Sequence, residues 1–138
     1  MSPRDTSTGQ VLEQMVLPAL RRGGYDCKTR VNIGSRLGGR CHLVDAIAAK
    51  GDRKWLVSMK WQQVDGTAEQ KVPFEVMCLA ESVLSGGHAG AYLVLGGEGW
   101  TLRDFYTSGG LRRYLLHADK VSILSLEGFV AKANQGGL

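Results

Sequence analysis

The chain has 138 residues, 43% of them hydrophobic, which suits one domain with its own core and leaves no room for two. It contains no run of about 18 apolar residues, and Met1 to Ser7 lacks the apolar stretch of a secretory signal, so a soluble cytoplasmic protein is expected. The net charge of +4 is uneven: residues 1–63 hold 11 Lys or Arg against 5 Asp or Glu, and residues 64–138 hold 6 against 8. A basic first half suits a polyanionic partner, with an ordinary solvated surface as the plain alternative. Cys27, Cys41 and Cys78 are odd in number and lack C-x-x-C spacing, which argues against a disulfide framework or zinc site and for small buried hydrophobes.

Apolar positions at helical spacing predict a helix from Gln10 to about Arg22, kinked or late-starting at Pro18 and stopped by Gly23-Gly24. Tyr25 to Val31 reads as an edge strand, and Asn32 to Arg40, with three glycines, as a mobile basic loop. Cys41 to Ala49 and Lys54 to Gln62 form a hairpin turning at Lys50 to Arg53. Thr67 to Gln70 has the pattern of a capping box, with Pro73 in the first turn of a helix that continues to Leu84 before Gly86-Gly87. Ala89 to Leu95 and Val121 to Leu124 are apolar runs typical of buried strands. Between them, Leu102 to Leu116 predicts short helices broken at Gly109-Gly110, and Glu127 to Asn134 predicts a terminal helix, leaving Met1 to Ser7 and Gln135 to Leu138 as frayed ends. The result is an α/β (α+β mixed) sheet with helices on both faces.

Two of these strands carry polar residues where buried strands are normally apolar: Asp45 in the first arm of the hairpin, and Ser58, Lys60 and Gln62 in the second. Alternation puts those three on one face of the strand and Val57, Met59 and Trp61 on the other. An aspartate and a lysine on neighbouring strands can hold a divalent cation beside a water and a phosphate, the minimum for phosphodiester hydrolysis. Burying an unpaired carboxylate is costly, so Asp45 is read as a metal ligand, with an ion pair to Lys60 as the alternative. A lysine snorkelling from an edge strand is the alternative for Lys60.

The order Asp45, a turn at Gly51-Asp52, then Ser58-Met59-Lys60 resembles the D…(D/E)-x-K signature of the PD-(D/E)XK nuclease superfamily. The S-x-K form is similar to that of some restriction endonucleases, as is the segment from Gly66 to Glu75. The resemblance implies a restriction-endonuclease-like αβββαβ core and a metal-dependent DNA endonuclease of the restriction, homing, junction-resolving or phage type. Its cofactor would be Mg2+, replaceable by Mn2+. Metal ligands would be Asp45, the Met59 backbone carbonyl and an acid from the following helix, because Ser58 stands where most members have one. Glu75 is the first candidate for that acid, with Glu69, Glu81 and Glu13 behind it. Lys60 would orient or deprotonate water or neutralise charge on the phosphate, and Ser58 and Gln62 would support it.

Arg36, Arg40 and Lys71 are the candidate contacts to double-stranded DNA. Cutting both strands is most simply done by two centres related by symmetry, so a homodimer or higher homo-oligomer is expected, with Leu111, Tyr114 and Leu115 as its apolar contact and core packing as the alternative for those three. The competing reading is a non-catalytic nucleic-acid-binding or assembly protein on a decayed nuclease fold, motivated by Ser58. Trp55 and Trp61 are read first as core and second as base-stacking platforms. His42 is expected at the surface, His88 and His117 are isolated, and Gly96 to Gly99 lacks the lysine and hydroxyl of a phosphate loop.

Overall fold

The computed structural model describes residues 8–138, so the frayed segment expected at Met1 to Ser7 lies outside the described residues. Helix α1 spans residues 8–22. Pro18 has no N–H for an intrahelical bond, and its ring crowds the carbonyl one turn back. The helix answers with a π-helical stretch, Leu12–Val16, in which the Leu17 N–H donates to the Leu12 carbonyl, and resumes as α-helix over Leu17–Arg22. The expected kink is therefore a π-bulge.

Strands β1 (Asp26–Ser35), β2 (Cys41–Lys50) and β3 (Arg53–Trp61) form an antiparallel meander. The expected mobile loop Asn32 to Arg40 is corrected: β1 continues through Ser35, with a register slip eased by the Gly34 N–H donating to Asn32 Oδ1. The remainder is a tight turn, in which the Arg36 N–H donates to the Arg40 carbonyl at 2.8 Å and the Gly39 N–H to the Arg36 carbonyl at 2.9 Å. Glycine suits Gly38 and Gly39 because their φ values are 94° and 88°.

Helix α2 (Ala68–Gly86) carries the chain across the sheet to β4 (Gly90–Gly96), which lies parallel to β3. The capping box does not form, since the Thr67 side chain makes no cap bond; Gln62 Oε1 accepts from the Glu69 N–H instead. Pro73 lies inside the helix rather than in its first turn. Having no N–H, it leaves the Glu69 carbonyl without its intrahelical donor, and the Tyr106 hydroxyl donates to that carbonyl at 2.7 Å. Short helix α3 (Arg103–Thr107) and two 3-10 turns, Gly110–Arg113 and Ala118–Lys120, precede β5 (Val121–Ser125), which is parallel to β4. Helix α4 (Leu126–Asn134) is capped by Ser125 Oγ, which accepts from the Gly128 N–H at 3.1 Å.

The five-stranded mixed sheet has the order β1-β2-β3-β4-β5, with helices on both faces. One core joins α1 and α4 to Val57, Met59, Tyr92 and Val94, while the other joins α2 and the short helices to Leu56, Leu93, Leu95 and Ile123. This is an α+β architecture consistent with a restriction-endonuclease-like core. Among the described residues, no helix is long and apolar enough to cross a membrane.

Three smaller expectations change. The tail Gln135 to Leu138 is not frayed, because the Leu138 N–H donates to the Tyr25 hydroxyl and Leu138 packs on the α1 core. Cys41 is exposed rather than buried. Leu111 is buried in the α2 core with Leu115 packed against it, so of the apolar contact residues Tyr114 alone stands out into solvent.

Tyr106→Phe is expected to destabilise the protein by about 1–2 kcal/mol in chemical denaturation. The cost should shrink in a Pro73→Ala background, which returns a backbone donor to the orphaned carbonyl. Equal costs in the two backgrounds would remove this account of Tyr106.

Candidate active site

Strands β2 and β3 pair from Lys50 opposite Arg53 as far as Ala46 opposite Val57, and the ladder stops there. Beyond it Asp45 takes over: its Oδ2 accepts the Met59 N–H at 2.7 Å, replacing a strand carbonyl with a carboxylate. The alternation of β2 slips at the same point, since Ala46 and Ala48 pack in the α1 core but Val44 in the α2 core. On the other edge of β2, Arg30 falls between the paired residues Thr29 and Val31 with φ 52°, an uncommon conformation for a non-glycine residue. A strand residue sends its N–H and C=O to the same edge. The Met59 carbonyl therefore faces the same gap as its amide.

The parting strands and the start of α2 enclose a cleft of about 420 Å3, lined by Asp45, Ser58, Met59, Lys60 and Glu75 with Arg30, Arg36 and Lys71 around them. Glu75 reaches it from α2 and is buried, and its Oε2 accepts the Ser58 hydroxyl at 2.8 Å. Burial pushes the Asp45 carboxyl above its ordinary pKa; the Met59 amide and Lys60 oppose the rise, and the Glu75 charge adds to it. Burial also opposes charge on Glu75, but His42, Lys60 and Ser58 outweigh it and hold that carboxyl below its ordinary value. Two carboxylates thus share one cleft and repel each other, with Lys60 acting on both through space.

Among the described residues, no group of three or more His, Cys, Asp and Glu converges as a metal site. Two carboxylates and one carbonyl are hard donors, few in number. That set suits Mg2+, which keeps several of its waters and takes one or two carboxylates, and the mutual repulsion of Asp45 and Glu75 is what a cation relieves. A smaller hollow of about 180 Å3, lined by Val76, Leu111 and Arg112 among others, has no acid in its lining.

Several sequence candidates are not brought to the cleft. Gln62 is buried away from it, its Nε2 donating to Glu69 Oε1 at 3.0 Å and to the Gly99 carbonyl at 2.7 Å, so it fastens α2 to the loop after β4. Glu69 is occupied by the same network, accepting from the Thr101 amide, the Thr101 hydroxyl and Gln62. Burial raises its pKa, but those hydrogen bonds prevail and leave the carboxyl below its ordinary value. Glu13 and Glu81 are exposed and outside the cleft, and Arg40 sits at the turn beyond it. Arg36 stays at the rim, with its guanidinium 5.7 Å from the Phe74 ring centroid. Trp55 is core, edge-on to Tyr25, whereas half-buried Trp61 lines the cleft.

His42, expected at the surface, is instead 2% exposed. Its Nδ1 lies 3.3 Å from Ser82 Oγ and its Nε2 3.7 Å from Glu75 Oε2. The signal in the sequence was its phase, two residues before Val44 on a strand.

Comparison with known proteins bears on the family and the fold. A family model described as a PD-(D/E)XK nuclease superfamily domain matches residues 4–136. The crystal structure of protein of unknown function AF1548 is similar at TM-score 0.50 and 12% identity, covering 80% of this chain and 54% of that one. The chain thus spans about half the length of that protein, and at this identity the likeness is one of fold. The comparison with curated proteins gives no match.

The raised Asp45 pKa has a definite sign in stability. The folded state holds the Asp45 proton more tightly than the unfolded one, so this contribution is present at acid pH and is lost as pH rises through the folded pKa. In thermal melts with chelator, Asp45→Asn is expected to match the wild type at acid pH. Above the Asp45 pKa it should be the more stable of the two, because the amide places no charge in the buried cleft. A variant less stable than the wild type at neutral pH would refute this.

Proposed function

Because the chain belongs to the PD-(D/E)XK nuclease superfamily, we propose that it is a metal-dependent endonuclease that hydrolyses phosphodiester bonds in double-stranded DNA at the cleft between β2 and β3. The observation that carries this reading is the convergence of Asp45, Glu75 and Lys60 on one cleft. Asp45, Glu75 and the Met59 carbonyl would hold Mg2+, or Mn2+ in its place. When bound, the ion supplies Lewis acidity toward a phosphoryl oxygen and a more acidic water.

The remaining work belongs to side chains. Lys60 keeps a cation beside the reacting centre, where it orients the attacking water and offsets the negative charge that grows on the phosphate. Ser58 supplies no charge and acts by holding Glu75. Arg36, Lys71 and Arg30 give the cleft a basic rim for the DNA backbone. Severing both strands calls for two such centres, hence a homodimer or higher homo-oligomer.

Asp45→Ala and Lys60→Ala are each expected to lower Mg2+-dependent cleavage of plasmid DNA by about 10²–10⁴-fold while leaving a folded protein. Near-wild-type turnover of either at saturating metal would favour the non-catalytic binding reading. In Mn2+ calorimetry, Glu75→Gln should lose far more affinity than Glu69→Gln, and the reverse order would move the ligand role to Glu69.

For DNA binding followed by anisotropy, Arg36→Ala and Lys71→Ala should each reduce the salt slope by about one, with Arg40→Ala nearer wild type. Unchanged slopes in the Arg36 and Lys71 variants would put the DNA surface elsewhere.

A further inference from the structure

His42 is a buried imidazole with one nitrogen unaccounted for. Among the described residues, Nε2 has no hydrogen-bond partner, and it lies 3.7 Å from Glu75 Oε2. The same Oε2 already accepts the Ser58 hydroxyl. Two side chains from different strands, His42 on β2 and Ser58 on β3, thus address a single oxygen of an acid on α2.

The tautomer follows from the surroundings. Were the proton on Nδ1, the Nε2 lone pair would face the Glu75 Oε2 lone pairs at 3.7 Å, acceptor against acceptor in a buried setting. With the proton on Nε2, the ring points N–H at Glu75, and Nδ1 accepts from the Ser82 hydroxyl at 3.3 Å. Ser82 lies on α2 two turns beyond Glu75, so one helix supplies both the group that orients the ring and the group the ring addresses. At 3.7 Å the Nε2 contact is electrostatic, and closing it by roughly 0.7 Å makes it a hydrogen bond.

Resting on the reading of Glu75 as a metal ligand, we propose that His42 is a positioning residue: its Nε2–H and the Ser58 hydroxyl fix one oxygen of Glu75 so that the other is presented to the cation. An apolar residue would fill the same space without the desolvation cost of an imidazole. Donors of this kind set the orientation of a ligating carboxylate.

The test is Mn2+ calorimetry on the full chain at neutral pH, with melting temperatures measured alongside. His42→Leu should weaken binding about 10–100-fold, and His42→Gln, whose amide can reach the Nε2 position, should recover most of the loss. His42→Leu binding as tightly as wild type, or His42→Gln no better than His42→Leu, overturns the proposal. Should His42→Leu fail to fold, nitrogen NMR of the metal-free wild type decides, with the Nε2–H tautomer expected and the Nδ1–H tautomer overturning it. Wild-type protein that binds no Mn2+ overturns the metal reading and this one together, whereas wild-type binding left intact by His42→Leu overturns this one alone.

Discussion

The hydrogen bond from the Met59 amide to Asp45 is the contact on which the site depends. A central strand whose neighbour departs leaves an unpaired donor in the interior, at a cost comparable to a lost hydrogen bond. By accepting that amide, Asp45 lets β2 peel away from β3 without leaving the donor orphaned, and the gap so opened is the cleft. The same carboxylate is thus a structural acceptor through Oδ2 and, through its charge, a group that burial disfavours. Fold and chemistry meet in one side chain, which is why the strand tolerates it.

The second acid depends on how α2 is set against the sheet. Gln62 and Glu69 tie its first turn to the residues around Gly99 and Thr101, and Tyr106 closes the carbonyl that Pro73 leaves open. The loop can lie this close because Gly97 and Gly99 carry no Cβ; one there would stand 2.4 Å from the Gln62 carbonyl oxygen and 2.4 Å from the Val64 backbone, respectively. With that turn fixed, Glu75 enters the cleft two turns further along. The glycine run that matches no phosphate loop therefore packs on the residues around Gln62 and Val64 that lead into the helix delivering the acid.

Asp45 and Lys60 were legible because a charge in an apolar strand breaks the period-two pattern, and the break is visible in a single line of sequence. Gln62 breaks it in the same way but is turned to Glu69 and Gly99, partners reached only through the crossover and β4. The choice between Glu69 and Glu75 turned likewise on Thr101, remote in sequence and adjacent in space. His42 was missed for a related reason: a lone histidine at the entry of a strand looks solvated until α2 is laid over β2. The order of elements was readable from hydrophobic runs and glycine stops, whereas the end of β1 was not, because Asn32 and Gly34 look like loop residues and in fact build an irregular ladder.

The S-x-K departure reads differently once Glu75 is seen to receive the Ser58 hydroxyl at 2.8 Å. An acid at position 58 would push a carboxylate against a carboxylate in a buried cleft that already holds Asp45. Serine offers a donor where the acid would offer a second acceptor, so it satisfies Glu75 rather than competing with it. The acid from α2 and the hydroxyl on β3 are therefore one coupled solution: each makes chemical sense only with the other present. That match, beside Asp45 and a nearby lysine, is the physical argument for reading Ser58 as the partner of Glu75 rather than as a lost acid.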